Sequence, residues 1–224
     1  MKILNLKAVI FDMDGVITNT MPDHYRAWVK ILKENAGIHP TKLDIYLKEG
    51  SPGIDCLYDI FKKYHKPYNE TIARKCLNDK EAYFKTLAKT KFIPGARSFL
   101  KKLHKQNFKL ALVTGTSRPE LHRILPDNIF NLFSVVITGN DVKKGKPHPE
   151  PYLKAIKKLR LKKSDSVVIE NAPFGITAAK RAKLLCLALE TSLPKKYINN
   201  ADMIFPSIKQ MLLKIKFENF NHDA

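Results

Sequence analysis

Five short runs of continuous apolar residues constrain this chain more than anything else in it. They are Lys7–Asp12, Lys109–Thr114, Val135–Thr138, Ser166–Glu170 and Leu185–Leu189, with a shorter one at Met203–Phe205. Val, Ile and Leu fill them. A strand of that kind has to be buried on both faces, which is the habit of parallel sheets. Helical patterns separate several of the runs, around Ala96–Lys105, Glu150–Leu159 and Phe174–Ala182. The alternation predicts an α/β fold, a doubly wound parallel sheet covered by helices on both faces. In such sheets a ligand binds beyond the C-terminal strand ends, at the point where the strand order reverses. Polar clusters fall at three of those ends: Asp12/Asp14, Thr114-Gly115-Thr116-Ser117 and Glu170-Asn171.

The first cluster is the most specific. In extended backbone, residues i and i+2 face the same way. Asp12 and Asp14 therefore present two carboxylates together, with Gly15 allowing a sharp turn after them. Like charges side by side call for a divalent cation, a proton, or both. One carboxylate as nucleophile and one as acid/base suits phosphoryl transfer. The plainer alternative is a strand that ends in a solvated acidic turn.

Other features narrow the function classes. No apolar run approaches the roughly 20 residues of a membrane span. Residues 1–7 carry some signal-peptide character, but Asn5, Lys7 and Asp12 interrupt it, and they read as the lead-in to the first strand. Cys56, Cys76 and Cys186 are few and widely spaced, so reduced thiols in a cytoplasmic protein are expected. Lys and Arg total 40 against 21 Asp and Glu, a net charge of +19 spread along the whole chain. That charge either attracts anions such as phosphate esters or belongs to solvated surface lysines. It lacks the single stripe of a nucleic-acid module, and no specific nucleic-acid partner is expected.

Residues 21–91 have no good strand and read as several helices, the clearest at Asp23–Asn35 and Ile72–Ala88. Gly37, Pro40, Gly50, Pro52, Gly53 and Pro67 break them. Inserted after the first strand, this region has the place of a helical cap over the sheet's polar edge. Residues 1–19 and 93–224 would form the core domain and residues 20–92 the cap, with hinges at Thr18–Thr20 and Phe92–Gly95. The polar tail Phe217–Ala224 is expected to fray.

Asp12-Met13-Asp14-Gly15-Val16, Thr114, Lys146-Pro147 and Glu170-Asn171 resemble, in order, the four motifs of haloacid dehalogenase-superfamily phosphotransferases. Within that superfamily the chain is most similar to the β-phosphoglucomutase-like group with a small helical cap. Support comes from Ile17-Thr18-Asn19-Thr20, from His24, Arg26, Ala27 and Trp28, and from Gly145-Lys146-Pro147-His148-Pro149-Glu150-Pro151-Tyr152. Gly175-Ile176-Thr177-Ala178-Ala179 adds to it. The resemblance implies a core like the dinucleotide-binding sheets, with an inserted α-helical cap.

It also implies roles. Asp12 would be the nucleophile and Asp14 the acid/base. Thr114 and Gly115 would hold phosphate oxygens, and Lys146 would neutralise charge in the transition state. Asp12, the main chain of Asp14, Glu170 and Asn171 would hold Mg²⁺. Many family members carry aspartate where Asn171 stands, so weaker Mg²⁺ binding is expected; Asn171 also suits a helix N-cap before Pro173. His24 lies where the family places a polar group near the leaving group, or is a surface histidine of the first cap helix. Trp28, one turn on, reads as cap packing. Thr116 and Arg118 follow at the mouth of the second strand, and Arg118 either grips a polar substrate tail or opens the next helix in solvent.

A mutase needs a cationic clamp in the cap. The comparable loop, Lys48-Glu49-Gly50-Ser51-Pro52-Gly53-Ile54-Asp55, has no arginine, with Lys48 or Lys80 as the available substitutes. Hydrolysis of a small phosphorylated metabolite by a monomer, away from membranes, is therefore expected. β-Phosphoglucomutase-type transfer is the enzymatic alternative, and a non-catalytic basic binding protein on the same fold the remaining one.

Overall fold

The computed structural model describes residues 1–51, 53–87 and 89–220. Eight strands organise them: β1 (Lys2–Leu6), β2 (Ala8–Phe11), β3 (Lys109–Val113), β4 (Val135–Ile137), β5 (Ser166–Glu170), β6 (Leu185–Leu189), β7 (Met203–Phe205) and β8 (Ile215–Asn219). Six of them form one parallel sheet in the order β4-β3-β2-β5-β6-β7. From β2 the chain builds outward on one side, then returns to build outward on the other from β5. The crevice between β2 and β5 is therefore the switch point at which such sheets bind ligands. Register levels the strand ends there: Phe11 pairs with Leu112 of β3 and with Ile169 of β5.

The helices are α1 (Met21–Ala36), α2 (Lys42–Tyr46), α3 (Gly53–Lys63), α4 (Glu70–Leu87), α5 (Ala96–Lys105), α6 (Arg118–Ile124), α7 (Asp127–Phe130), α8 (Glu150–Leu159), α9 (Pro173–Arg181) and α10 (Ile208–Lys214). Alternate strand residues face opposite sides of the sheet, and both sides are buried. Ala8, Ile10, Val113, Val168, Cys186 and Ala188 pack with Tyr152, Ala155 and Ile156 of α8 and Ile176 and Ala179 of α9. Val9, Phe11, Leu112, Ile169 and Leu187 pack on the other side with Phe99 and Leu103 of α5 and Ile208 of α10. This two-sided burial is why the strands read as continuous apolar runs.

Four helices, α1–α4, lie between β2 and α5. Trp28, Ile31 and Leu32 of α1 share one core with Leu57, Ile60 and Phe61 of α3 and Ala73 and Cys76 of α4. Pro22 and Asp23 open α1, and Gly37 closes it at φ 61°, its N–H reaching the Leu32 and Lys33 carbonyls. Thr41 and Asp44 form a capping box that starts α2. The two connections to the sheet run side by side. Asn19 N–H donates to the Lys91 carbonyl at 2.7 Å and Ile93 N–H to the Ile17 carbonyl at 2.9 Å.

The structure differs from expectation at the ends. Residues 2–6 are a strand of their own, and residues 215–219 are not frayed. β1 and β8 form a separate two-stranded parallel sheet, Leu4 opposite Phe217. Leu4, Leu6, Ile215 and Phe217 are buried, the intervening residues exposed or half-buried. Two such short alternating segments are stable only as partners, and they lie more than two hundred residues apart. The rest of the tail, 221–224, lies outside the described residues, as does Ala88 at the expected end of α4.

No helix among the described residues is long and apolar enough to cross a membrane. Cys56, Cys76 and Cys186 are free and buried.

Candidate active site

The loops after β2, β3, β4 and β5, together with the helical insertion, line a cavity of about 420 Å³. Asp12, Asp14, Thr114, Gly115, Thr116, Lys146 and Glu170 line it from the sheet, and His24, Trp28, Lys48, Glu49 and Lys80 from the insertion.

Lys146 is the pivot. Its side chain is 3% exposed. Its Nζ donates to Asp12 Oδ1 at 2.5 Å, to Glu170 Oε1 at 2.7 Å and to the Val113 carbonyl at 3.1 Å. An ammonium has three donors, and all three are used. The stem is fixed in the segment Gly145–Pro147, whose Lys146–Pro147 peptide is cis. Burial would strip the Lys146 proton, but the Asp12 and Glu170 carboxylates outweigh it and hold the ammonium charged. Burial likewise pushes Asp12 above the usual carboxylate range; Lys146 opposes this, while Glu170 and Asp14 add to it.

Asp14 sits differently. Thr20 Oγ1 donates to its Oδ1 and Thr116 Oγ1 to its Oδ2 at 3.3 Å. His24 Nε2 lies 3.7 Å from Oδ1. Burial would raise Asp14, but His24, Thr20 and Lys80 together hold it below the usual range. His24 stacks on Phe84, centroids 3.9 Å apart, and burial, helped by Lys80, favours its neutral form. His24 is thus an inward-facing cavity residue, not a surface one.

Gly15, at φ 81°, makes the turn after the aspartates. A Cβ there would lie 2.2 Å from Asn171 Nδ2, so the position also needs the close approach that only glycine allows. On the β3 side, Thr114 is buried and its hydroxyl oxygen accepts from Thr116 N–H at 3.0 Å. Thr114 lines the cavity, where its hydroxyl can donate.

Two expected roles look different once the partners are seen. Glu170 has every acceptor position engaged. Oε1 takes Lys146 and the Tyr152 hydroxyl, both at 2.7 Å, and Oε2 takes the N–H groups of Asn171 at 2.9 Å and Ala172 at 3.2 Å. In this geometry it anchors Lys146 and its own loop and has no lone pair left for a cation. Arg118 is half-exposed, pairs with Asp141 at 2.9 Å and does not line the cavity. Being the first residue of α6, it matches the solvent-side alternative.

The remaining donors fit a hard cation. Asn171 Oδ1 is buried with no partner among the described residues. Its orientation is set by Nδ2, which donates to Glu49 Oε1 and Ser192 Oγ, both at 2.8 Å. Asp12 Oδ2 accepts no hydrogen bond among the described residues, so it too is available. No three His, Cys, Asp or Glu side chains among the described residues form a ready cage. Such a sparse set suits a divalent cation that keeps several waters and uses few protein oxygens.

Sequence reasoning passed over Glu49 and Tyr152 as members of the site. Tyr152 stands six residues after Lys146, and nothing in the local sequence reveals that its hydroxyl reaches Glu170. Lys80, seen only as a substitute clamp, is half-buried, its ammonium over the rings of Trp28 and Phe84 at 5.4 and 5.1 Å.

A buried ammonium between two acids at the switch point of a parallel sheet, beneath a helical insertion, defines an α/β enzyme that handles anions. The haloacid dehalogenase-like hydrolase family model matches residues 9–189, and the chain belongs to that family. It is 31% identical over 183 residues to the phosphorylated carbohydrates phosphatase of Thermotoga maritima, covering 79% of this chain and 82% of that protein. It is 26% identical over 221 residues to the beta-phosphoglucomutase of Bacillus subtilis, 96% of each chain. The crystal structure of beta-phosphoglucomutase from Clostridium difficile superposes with a TM-score of 0.79 at 26% identity, covering 92% of this chain and 93% of that one.

Proposed function

We propose that this protein is a Mg²⁺-dependent phosphatase that hydrolyses a small phosphomonoester, a phosphorylated sugar or related metabolite. The observation that carries the reading is Lys146, buried and charged against Asp12 Oδ1. A surface acid would not need it. A nucleophile whose charge moves onto a phosphoryl group does.

Residues 20–92 act as the cap and residues 1–19 and 93–224 as the core, the cavity lying between them. The substrate's phosphate sits against Thr114 Oγ1 and the Gly115 amide, with the Lys146 charge acting on it from beside Asp12. Asp12 Oδ attacks phosphorus, the P–O bond to the sugar breaks, and an aspartyl-phosphate forms. Asp14, protonated from solvent as the substrate binds, gives that proton to the departing oxygen as the alcohol leaves. It rests as a carboxylate, and the approaching phosphate dianion favours its taking up that proton. Water then attacks phosphorus, Asp14 takes a proton from it, and Asp12 is regenerated with release of inorganic phosphate. A cation held by Asp12, the Asp14 main-chain carbonyl and Asn171 Oδ1 would offset the charge gathered on the phosphoryl oxygens. Lys80 and His24 face the leaving-group end from the cap.

A cavity of about 420 Å³ is suited to a metabolite, not a macromolecule. The name of the Thermotoga relative, a phosphatase of phosphorylated carbohydrates, supports the same substrate class. The mutase reading keeps one observation in its favour, the likeness to β-phosphoglucomutases. Against it, the loop Lys48–Asp55 carries no arginine, and Lys48 is paired with Asp59. Pro52 lies outside the described residues.

The test is the fate of phosphate across a panel of sugar phosphates with Mg²⁺, for wild type and Asp12→Asn. Free phosphate from wild type alone is expected. Conversion of β-glucose 1-phosphate to the 6-phosphate, with little free phosphate, would replace the phosphatase reading with the mutase. Equal release by Asp12→Asn would end both.

A further inference from the structure

Glu49 lies in the turn after α2, within the helical insertion, yet its carboxylate reaches the sheet. Oε1 accepts from Asn171 Nδ2 at 2.8 Å, across 122 positions of chain. Glu49 is 7% exposed and Asn171 fully buried. Each keeps one oxygen, Glu49 Oε2 and Asn171 Oδ1, without a partner among the described residues. A buried carboxylate oxygen left alone is costly, and two orphan acceptors on side chains that bond each other ask for a cation or a donor. No Lys, Arg or His forms an ion pair with Glu49 among the described residues, whereas Asp12, Asp14 and Glu170 line the same cavity.

The pairing also accounts for asparagine at position 171. An aspartate there would oppose the Glu49 carboxylate at hydrogen-bond distance. The amide instead donates to it. Its neighbours in the turn seat the loop on the sheet as well: a Cβ on Gly50 would lie 3.3 Å from Lys146 Cδ, and one on Gly115 would lie 3.7 Å from the Gly50 carbonyl oxygen.

We propose that Glu49 is a positioning residue of the cation site, carried by the insertion, which provides the negative charge that Asn171 lacks. It fixes the Asn171 amide so that Oδ1 is free for the cation, and its own charge acts from the surrounding shell. Binding of Mg²⁺ and seating of the turn 47–51 on the sheet are then one coupled event, each favouring the other. The inference rests on the cation-dependent reading above, but its test does not depend on turnover.

Mg²⁺ affinity is measured by calorimetry on the full chain, without substrate, for wild type, Glu49→Gln, Asn171→Asp and the double variant. Hydrogen exchange over residues 47–51 is followed in parallel. Glu49→Gln keeps an acceptor for Asn171 Nδ2 and loses only charge. It is expected to weaken Mg²⁺ about tenfold, the low end for a residue of the surrounding shell. Wild type should gain protection at 47–51 on adding Mg²⁺, and Glu49→Gln should not. The double variant, with the charge returned to the sheet, should recover the affinity without the Mg²⁺-dependent protection. Asn171→Asp alone should lose protection at 47–51 before any Mg²⁺ is added. Unchanged affinity in Glu49→Gln, or wild-type exchange at 47–51 that ignores Mg²⁺, would overturn the coupling. If either occurs while wild type still releases phosphate, the phosphatase reading stands alone. If wild type neither binds Mg²⁺ nor releases phosphate, both fall.

Discussion

Gly175 is the position where a single methyl group should do most damage at a distance from the cavity. It is the third residue of α9 and carries no unusual backbone angle. Its constraint is purely one of space: a Cβ there would lie 1.7 Å from Glu170 Oε1 and 2.1 Å from its Cδ. Ordinary contact begins near 3.4 Å, so in Gly175→Ala the carboxylate must retreat by about 1.5–2 Å or α9 must shift away from β5. Retreat lengthens the 2.7 Å bonds from Lys146 and Tyr152 beyond hydrogen-bond range. Bonds to a charged group are worth about 1.5–3 kcal/mol each, and overpacking adds about 1–3 kcal/mol. Partial relaxation of the helix recovers some of this, so a loss of about 3 kcal/mol is expected. For a chain of this size that is a fall in Tm of about 6–12 °C.

Urea denaturation at pH 7 reads the stability, and phosphate release reads the freed Lys146. The deciding comparison is Gly175→Ala in a Glu170→Ala background, where the clash is gone. There the added methyl should cost less than about 0.5 kcal/mol, a coupling of at least about 2 kcal/mol between positions 170 and 175. Additive effects, or a Gly175→Ala protein as stable and active as wild type, would refute the reasoning.

Three further outcomes follow from other contacts. Burial would raise Asp44, but Lys63, Thr41 and Tyr64 outweigh it and bring it down to about 2 from 3.8. Its folded pKa being the lower one, Asp44 stabilises fully above about pH 4 and loses that contribution as pH falls through 2. The shift is worth about 2 kcal/mol before allowing for the solvent around Lys63, and about 1–2 kcal/mol after it. Asp44→Asn should therefore lower urea stability by about that much at pH 6 and less at pH 3; an equal cost at both would contradict the assignment. Lys80→Met keeps the stem against Trp28 and Phe84 and removes a half-buried charge, so stability should stay within about 1 kcal/mol while KM for the phosphorylated substrate rises more than kcat falls. A changed kcat with KM untouched would remove Lys80 from substrate binding. Exhaustive chelation should abolish phosphate release and added Mg²⁺ restore it, and turnover that persists in chelator would contradict the cation role of Asn171 Oδ1.

The sheet could be read in the sequence because its strands are buried on both faces and so leave uninterrupted apolar runs. Asp12, Asp14, Thr114 and Lys146 were readable for a related reason: each stands at a strand end or in a loop whose place the runs had already fixed. What could not be read was who else donates. Glu170 is a free carboxylate on paper. Tyr152 and two amides, brought in by α8 and by its own turn, occupy the oxygens a cation would need. Arg118 likewise depends on Asp141, which comes after two helices and a strand. Glu49 read as one more loop acid because nothing local reveals that its turn folds onto β5. β1 and β8 escaped for want of length; five residues with two inward side chains carry too little pattern until the partner strand is present.

That pairing of the first strand with the last bears on the order in which the chain folds. The large sheet can assemble once Phe205 is available, since β7 is its outermost strand. β1 has no strand partner until Ile215–Asn219 arrives. The loop closed by this contact spans nearly the whole chain, and its entropic cost is met only after everything between has condensed. During synthesis, Leu4 and Leu6 therefore wait with an unpaired edge while the large sheet and the helical insertion can already form, a window in which the nascent protein is most open to strand exchange with its neighbours.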